Sequence, residues 1–179
     1  MRPARSDAAA FALVAAPLLA VFLGLYLAAI RPYESAVVRA ANVGLAAASA
    51  SLRLEVDPTG RVTTTRVGPD GARRPLSATP RVHAVFLSLA LLPVLLLATP
   101  APWPTRARWV VLAVPLLFGL HVLALLAMFR AHLVLVEQPT DLPARVAYGL
   151  AVTSGQLGAV ALWALLTWRF WLGRLSSGY

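Results

Sequence analysis

The sequence predicts an all-α membrane protein of four transmembrane helices, with a small extracytoplasmic helix-plus-β-hairpin insertion between helices 1 and 2. Three observations predict it. Hydrophobic residues make up 59% of the 179, charged residues only 13%, and the mean hydropathy is +0.74. Soluble domains carry about a quarter charged residues. Four apolar runs each come near the roughly 20 residues that cross about 30 Å of hydrocarbon as a helix. Most of the charge gathers at the ends of those runs and in one stretch, 31–81.

The first run, Ala8–Ile30, contains no charged residue. It is longer than the roughly 7–15 apolar residues of a cleaved signal peptide. A retained helix is therefore expected, although Leu27-Ala28-Ala29 has the small-residue character of a cleavage site. The second run is Val82–Thr99, the third Trp109–Val136 and the fourth Val146–Trp168. Pro17, Pro93 and Pro115 fall inside them, and bilayer helices tolerate such prolines better than soluble ones do. The chain divides accordingly into an N-terminal helix (1–30), an extracytoplasmic segment (31–81) and a three-helix membrane bundle (82–179).

Charge sets the orientation. All 16 basic residues are Arg, a bias that points to a GC-rich bacterial genome. Arg2 and Arg5 precede the first run, Arg106 and Arg108 separate the second from the third, and Arg169 and Arg174 follow the fourth. The third connection carries Glu137, Asp141 and Arg145. Positive residues in short loops stay in the cytoplasm, so both termini are expected there, in the bacterial inner membrane. The 31–81 segment holds eight Arg, but long loops cross regardless of charge. Trp103, Trp109, Trp163, Trp168 and Trp171 fall toward the cytoplasmic ends, as an interfacial aromatic belt does. The net charge of +9 flanks apolar runs instead of forming one soluble patch. It suits anionic lipids as partners and argues against nucleic acid.

Within 31–81, Val37, Val38, Ala41, Leu45 and Ala48 recur at helical spacing from Tyr33 to Ser49, which predicts a short helix at the outer membrane face. Leu52, Leu54 and Val56 then alternate with Arg53, Glu55 and Asp57. Asp57-Pro58-Thr59-Gly60 is a turn, and Arg61–Val67 a Thr/Val-rich return strand, so a β-hairpin is predicted. Gly68-Pro69-Asp70-Gly71 marks a second turn, leading into a third strand.

Ionisable groups inside lipid are costly and need a reason. His121 stands near the middle of the third run and Gln156 near the middle of the fourth. A hydrogen bond between them is expected, fixing helix packing or forming part of a buried polar path. Arg130 is expected to snorkel toward headgroups or to pair with Glu137. His83 and His132 stand at one depth on neighbouring helices and are the alternative: ligands to a haem iron or another metal.

Cysteine is absent, which removes disulfides, thiolate metal sites and a Cys nucleophile. There is no HExxH, phosphate-binding loop or GxSxG. The hydroxyls of Ser88, Thr153 and Ser154 stand in no nucleophile–base pattern.

From Ala40 to Leu133 the order is a small helix, a hairpin, and two helices joined by a short basic loop. The text around that loop is LALLPVLLLATPAPWPTRARWVVLAVPLLFGLHVLALLAMFR. The Ala98-Thr99-Pro100 step, Arg106 and Arg108, and the following helix with Pro115 and Gly119 resemble the exosortase/archaeosortase superfamily of protein-sorting membrane proteins. The resemblance covers roughly half of the chain. That family uses a Cys at the outer start of a membrane helix with an Arg and a His on later helices. Here the start reads Thr79-Pro80-Arg81-Val82-His83, His121 and Ala124 stand near the expected Asn/Arg positions, and Gln156 stands near the later His. No catalytic residue carries over. The chain looks more like that superfamily's small non-catalytic companions, such as the exosortase H-associated membrane proteins. The resemblance implies an accessory or assembly subunit without enzymatic activity or cofactor, whose partners are other integral membrane proteins, among them a Cys-containing exosortase.

Overall fold

The computed structural model describes residues 3–48, 52–56, 62–68, 70–78 and 86–176. Their order is α1 (Pro3–Ala48), β1 (Leu52–Val56), β2 (Val62–Val67), β3 (Arg73–Ala78), α2 (Ser88–Ala98), α3 (Trp103–Glu137) and α4 (Leu142–Ser176). The protein is mostly helical, with a small three-stranded sheet between α1 and α2.

The expected break after Ile30 does not occur. α1 runs for 46 residues without interruption, about 69 Å at 1.5 Å per residue. Pro32 removes one backbone donor and disfavours a helical Arg31, which is why the sequence reads as two helices. The inward stripe nevertheless keeps its phase across the proline: Tyr26, Ile30, Glu34, Val37, Ala41 and Leu45 are all buried, at intervals of three or four residues. A helix that stopped at Pro32 would have to re-enter that stripe from a new angle.

Among the described residues, three helices are long and apolar enough to cross a membrane: Phe11–Ala47, Trp103–Glu137 and Leu142–Gly173. They carry large apolar side chains outward along their length; Leu13 is 76% exposed and Val111 70%. Soluble monomers do not normally display apolar surface on this scale. The predicted second span is represented by the 11-residue α2, which follows residues 79–85, outside the described residues. α3 and α4 each begin with a proline at the second position, Pro104 and Pro143, where a missing N–H costs nothing and φ is preset for a helix.

Two compact units are present. The first gathers Met1–Ala28, Leu87–Leu117 and Leu157–Tyr179, and the second gathers Ala29–Phe86 and Phe118–Gln156. All five tryptophans belong to the first unit.

In the first unit α2 is sunk on every side, with Ser88, Ala90, Leu92, Val94, Leu96 and Ala98 buried. Its C-terminal carbonyls have no partner within the helix. Arg106 supplies one, donating from a terminal guanidinium nitrogen to Leu97 O at 2.8 Å and from Nε to Ala101 O at 2.5 Å. Thr99 Oγ1 donates to Leu95 O at 2.7 Å and accepts the Trp163 indole N–H at 3.0 Å. A string of ring contacts follows: Phe11–Trp163 at 6.3 Å, Trp163–Trp171 at 6.4 Å, Trp171–Phe170 at 5.4 Å and Phe170–Trp109 at 6.1 Å. Arg106→Leu is expected to cost about 1–3 kcal/mol, because two carbonyls lose a charged donor. Faster amide exchange over Leu95–Ala101, unchanged at the sheet, is the readout.

In the second unit the strands form one antiparallel sheet, β1-β2-β3. Leu54 pairs with Thr64 and Val56 with Val62, and Arg66 pairs with Arg74. A bulge sits between Thr64 and Thr65. The Gly68–Gly71 turn places Gly71 at φ +75°, a region open to glycine but costly for residues with a Cβ. Gly68 N donates to Ala72 O at 2.9 Å and Ala72 N to Asp70 Oδ1 at 3.1 Å. The first turn, at 57–60, lies outside the described residues.

Asn42 joins the sheet to α1. Its Nδ2 donates to Leu54 O at 2.8 Å, and its Oδ1 accepts from Leu54 N at 2.8 Å. A side-chain amide has the donor–acceptor pairing of a backbone peptide group, so Asn42 occupies the outer edge of β1 as a neighbouring strand would.

Candidate functional site

The polar centre of the second unit is built on α1 and α3. His121 lies near the middle of α3 and is fully buried. The Tyr33 hydroxyl of α1 lies 2.7 Å from its Nδ1. With Tyr33 donating, the ring's own proton sits on Nε2. The Gly155 main chain provides a further hydrogen bond to the imidazole. Three helices thus meet at one histidine.

Aromatic rings enclose this pair. Tyr33 stands edge-on to Phe86 at 5.7 Å and to Phe118 at 5.9 Å, and Phe86 stands 5.1 Å from the His121 ring. Phe86 is 0% exposed. Edge-to-face contacts of this kind each contribute about 0.5–1.5 kcal/mol beyond area burial. They also exclude water, which strengthens the enclosed hydrogen bond. Glu34, next to Tyr33, is fully buried on the inward stripe of α1.

The pairing differs from the one expected for His121. Gln156 is exposed, and Tyr33 takes its place. One residue of helical rotation, about 100°, explains the exchange. The inward stripe of α4 is Ala144, Tyr148, Ala151 and Gly155, buried or half-buried, so Gly155 faces inward and Gln156 turns away.

Arg130 and Glu137 are both exposed, and among the described residues the ion pair formed is Arg73–Glu55, at 2.6 Å. Seven residues raise Glu137 about 10 Å above Arg130 along the axis, too far for the expected contact. Arg130 instead lines a shallow cavity of about 440 Å3, together with Ala131, Asp141 and Ala144.

Of the two alternative ligands, His83 lies outside the described residues. His132 is half-buried, 6.4 Å from the Tyr148 ring. Among the described residues its Nε2 is buried without a hydrogen-bond partner. Among the described residues no group of three or more His, Cys, Asp or Glu is arranged to hold a metal ion.

Sequence reasoning singled out His121 but not Tyr33, Phe86 or Asn42. Tyr33 lies 88 residues from His121, and local periodicity carries no information about that separation. Asn42 had a usable signal: it is the chain's lone asparagine, set on an apolar helical face just before a predicted hairpin.

The Tyr33–His121 bond has a measurable signature. Tyr33→Phe and His121→Phe are each expected to cost about 1–3 kcal/mol, since each strands a buried polar partner. The double variant is expected to lose less than the sum. Thermal unfolding in detergent, followed by circular dichroism, closes this cycle; strict additivity would remove the bond from the account.

No family model, no characterised protein and no solved structure matches the chain.

Proposed function

We propose that the chain is a multi-pass protein of the bacterial inner membrane that serves as a non-catalytic accessory subunit of an exosortase-type protein-sorting system. The observation that carries the membrane reading is the outward display of leucine and valine along three long helices. An accessory role is supported by the use made of buried and half-buried polar groups. His121, Tyr33, Thr99 and Arg106 each join one chain segment to another, which is the work of a scaffold. The sorting system itself rests on the resemblance around Ala98-Thr99-Pro100, Arg106 and Arg108.

In this reading the apolar run Val82–Thr99 is a second pass, making four, and both termini are cytoplasmic. The exposed Arg53, Arg66, Arg73 and Arg74 of the sheet then lie on the outer side, where they meet anionic headgroups or an acidic partner. Reporter fusions test the topology: alkaline phosphatase joined after Gly68 should be active, and joined after Tyr179 inactive. Co-purification in mild detergent tests the function. Tagged protein should recover a Cys-containing membrane transpeptidase. Recovery alone, with cell-surface sorting unchanged in a deletion strain, would sink the assignment.

A second reading, a subunit of a redox or transport complex, is favoured by the unpartnered Nε2 of His132. A Soret band in the purified protein that disappears in His132→Ala would promote it.

A further inference from the structure

The face of α4 that turns away from the second unit has a regular composition. Leu142, Val146, Gly149, Thr153 and Gln156 are all exposed. Their intervals are 4, 3, 4 and 3 residues. That average of 3.5 is the spacing at which two helices hold a common seam over several turns. The inward stripe, Ala144, Tyr148, Ala151 and Gly155, follows the same intervals two residues out of phase. The chain itself covers the inward stripe; the stripe on the opposite side of α4 stays uncovered.

Gln156 gives the second seam its chemistry. It lies 14 residues into the 32-residue apolar helix Leu142–Gly173, close to the middle of the span and about 21 Å from its start. A carboxamide on two methylenes cannot reach headgroups from there, as a long arginine does. Among the described residues it has no hydrogen-bond partner. A polar group in hydrocarbon without a partner is costly.

We propose that this face is a homodimer interface, closed by a hydrogen-bonded pair of Gln156 side chains across a twofold axis. A second copy is the occupant because a carboxamide both donates and accepts, so two identical side chains related by a twofold satisfy each other. Copies inserted with the same topology bring their α4 helices together in parallel and in register. Gly149 permits close approach: no heavy atom lies within 4 Å of where its Cβ would be. The nearby Arg145 does not oppose its counterpart in the seam. Its guanidinium is turned back onto Pro139 O, at 2.9 and 2.6 Å.

The inference rests on the membrane reading, and the experiment separates the two. The chain contains no cysteine, so single cysteines report contact without background. Val146→Cys and Thr153→Cys, oxidised in native membranes, are expected to yield a disulfide-linked species of twice the monomer mass. Ala147→Cys, exposed but on another face, should not. In the Thr153→Cys background, Gln156→Leu should weaken dimerisation about tenfold, while Gln156→Asn should retain most of it. Equal linking at Val146→Cys and Ala147→Cys, or none at any position, overturns the interface. Linking only to a protein of another mass overturns the choice of a second copy. Release of the chain by alkaline carbonate overturns the membrane reading as well, whereas retention without seam linking overturns the interface alone.

Discussion

Phe86→Ala is expected to lower stability by about 3–5 kcal/mol, the range for removing a buried aromatic ring. Phe86 is fully buried and touches both members of the Tyr33–His121 pair. Its loss acts twice: it opens a cavity, and it admits solvent or lipid beside a hydrogen bond that gains strength from a dry setting. Phe86→Leu, which keeps most of the volume, should lose less than half as much. Thermal melts in detergent distinguish the two variants. A loss under about 1 kcal/mol for Phe86→Ala would mean that the ring is not part of a close-packed core.

Asn42→Leu is the second large effect, at about 2–5 kcal/mol. The substitution keeps the branched shape of the side chain and raises its helix propensity, so α1 itself is not weakened. It strands the N–H and C=O of Leu54, each at about 1–3 kcal/mol when buried without a partner. Leu54 is 2% exposed. The expected result is a folded helical part with a loosened β1. Hydrogen exchange should rise at Leu54 and at the strand facing it. Protease sensitivity of the segment between Ala48 and Val62 should rise with it. Unchanged exchange at Leu54 would show that the clamp is dispensable.

The hairpin was legible because its signals are local. Leu52, Leu54 and Val56 alternate with charged residues, and Gly68-Pro69-Asp70-Gly71 punctuates the chain; β1, β2 and β3 form around them. The long apolar helices were legible for the same reason. The continuity of α1 was not, because Arg31-Pro32 carries a strong local stop signal. The competing information, an unbroken buried stripe from Tyr26 to Leu45, becomes decisive only once α1 has something to pack against. At the polar centre, composition and depth single out His121 as a buried group that needs a partner. Which partner it takes depends on a rotation of one residue on α4 and on a tyrosine brought in from α1. Neither is written in the residues around His121.

Both margins of the small sheet carry features that discourage recruitment of a further strand. On one side Asn42 fills the hydrogen-bonding positions of Leu54. On the other, β3 carries Pro75 in its interior, preceded by exposed Arg73 and Arg74; proline withholds a donor, and a charged edge side chain such as Arg74 repels a like-charged neighbour. A bilayer confines proteins to two dimensions, where encounters between copies are frequent and unpaired strands invite runaway stacking. Asn42 and Pro75 work against that fate by leaving fewer free ladder positions at the two edges.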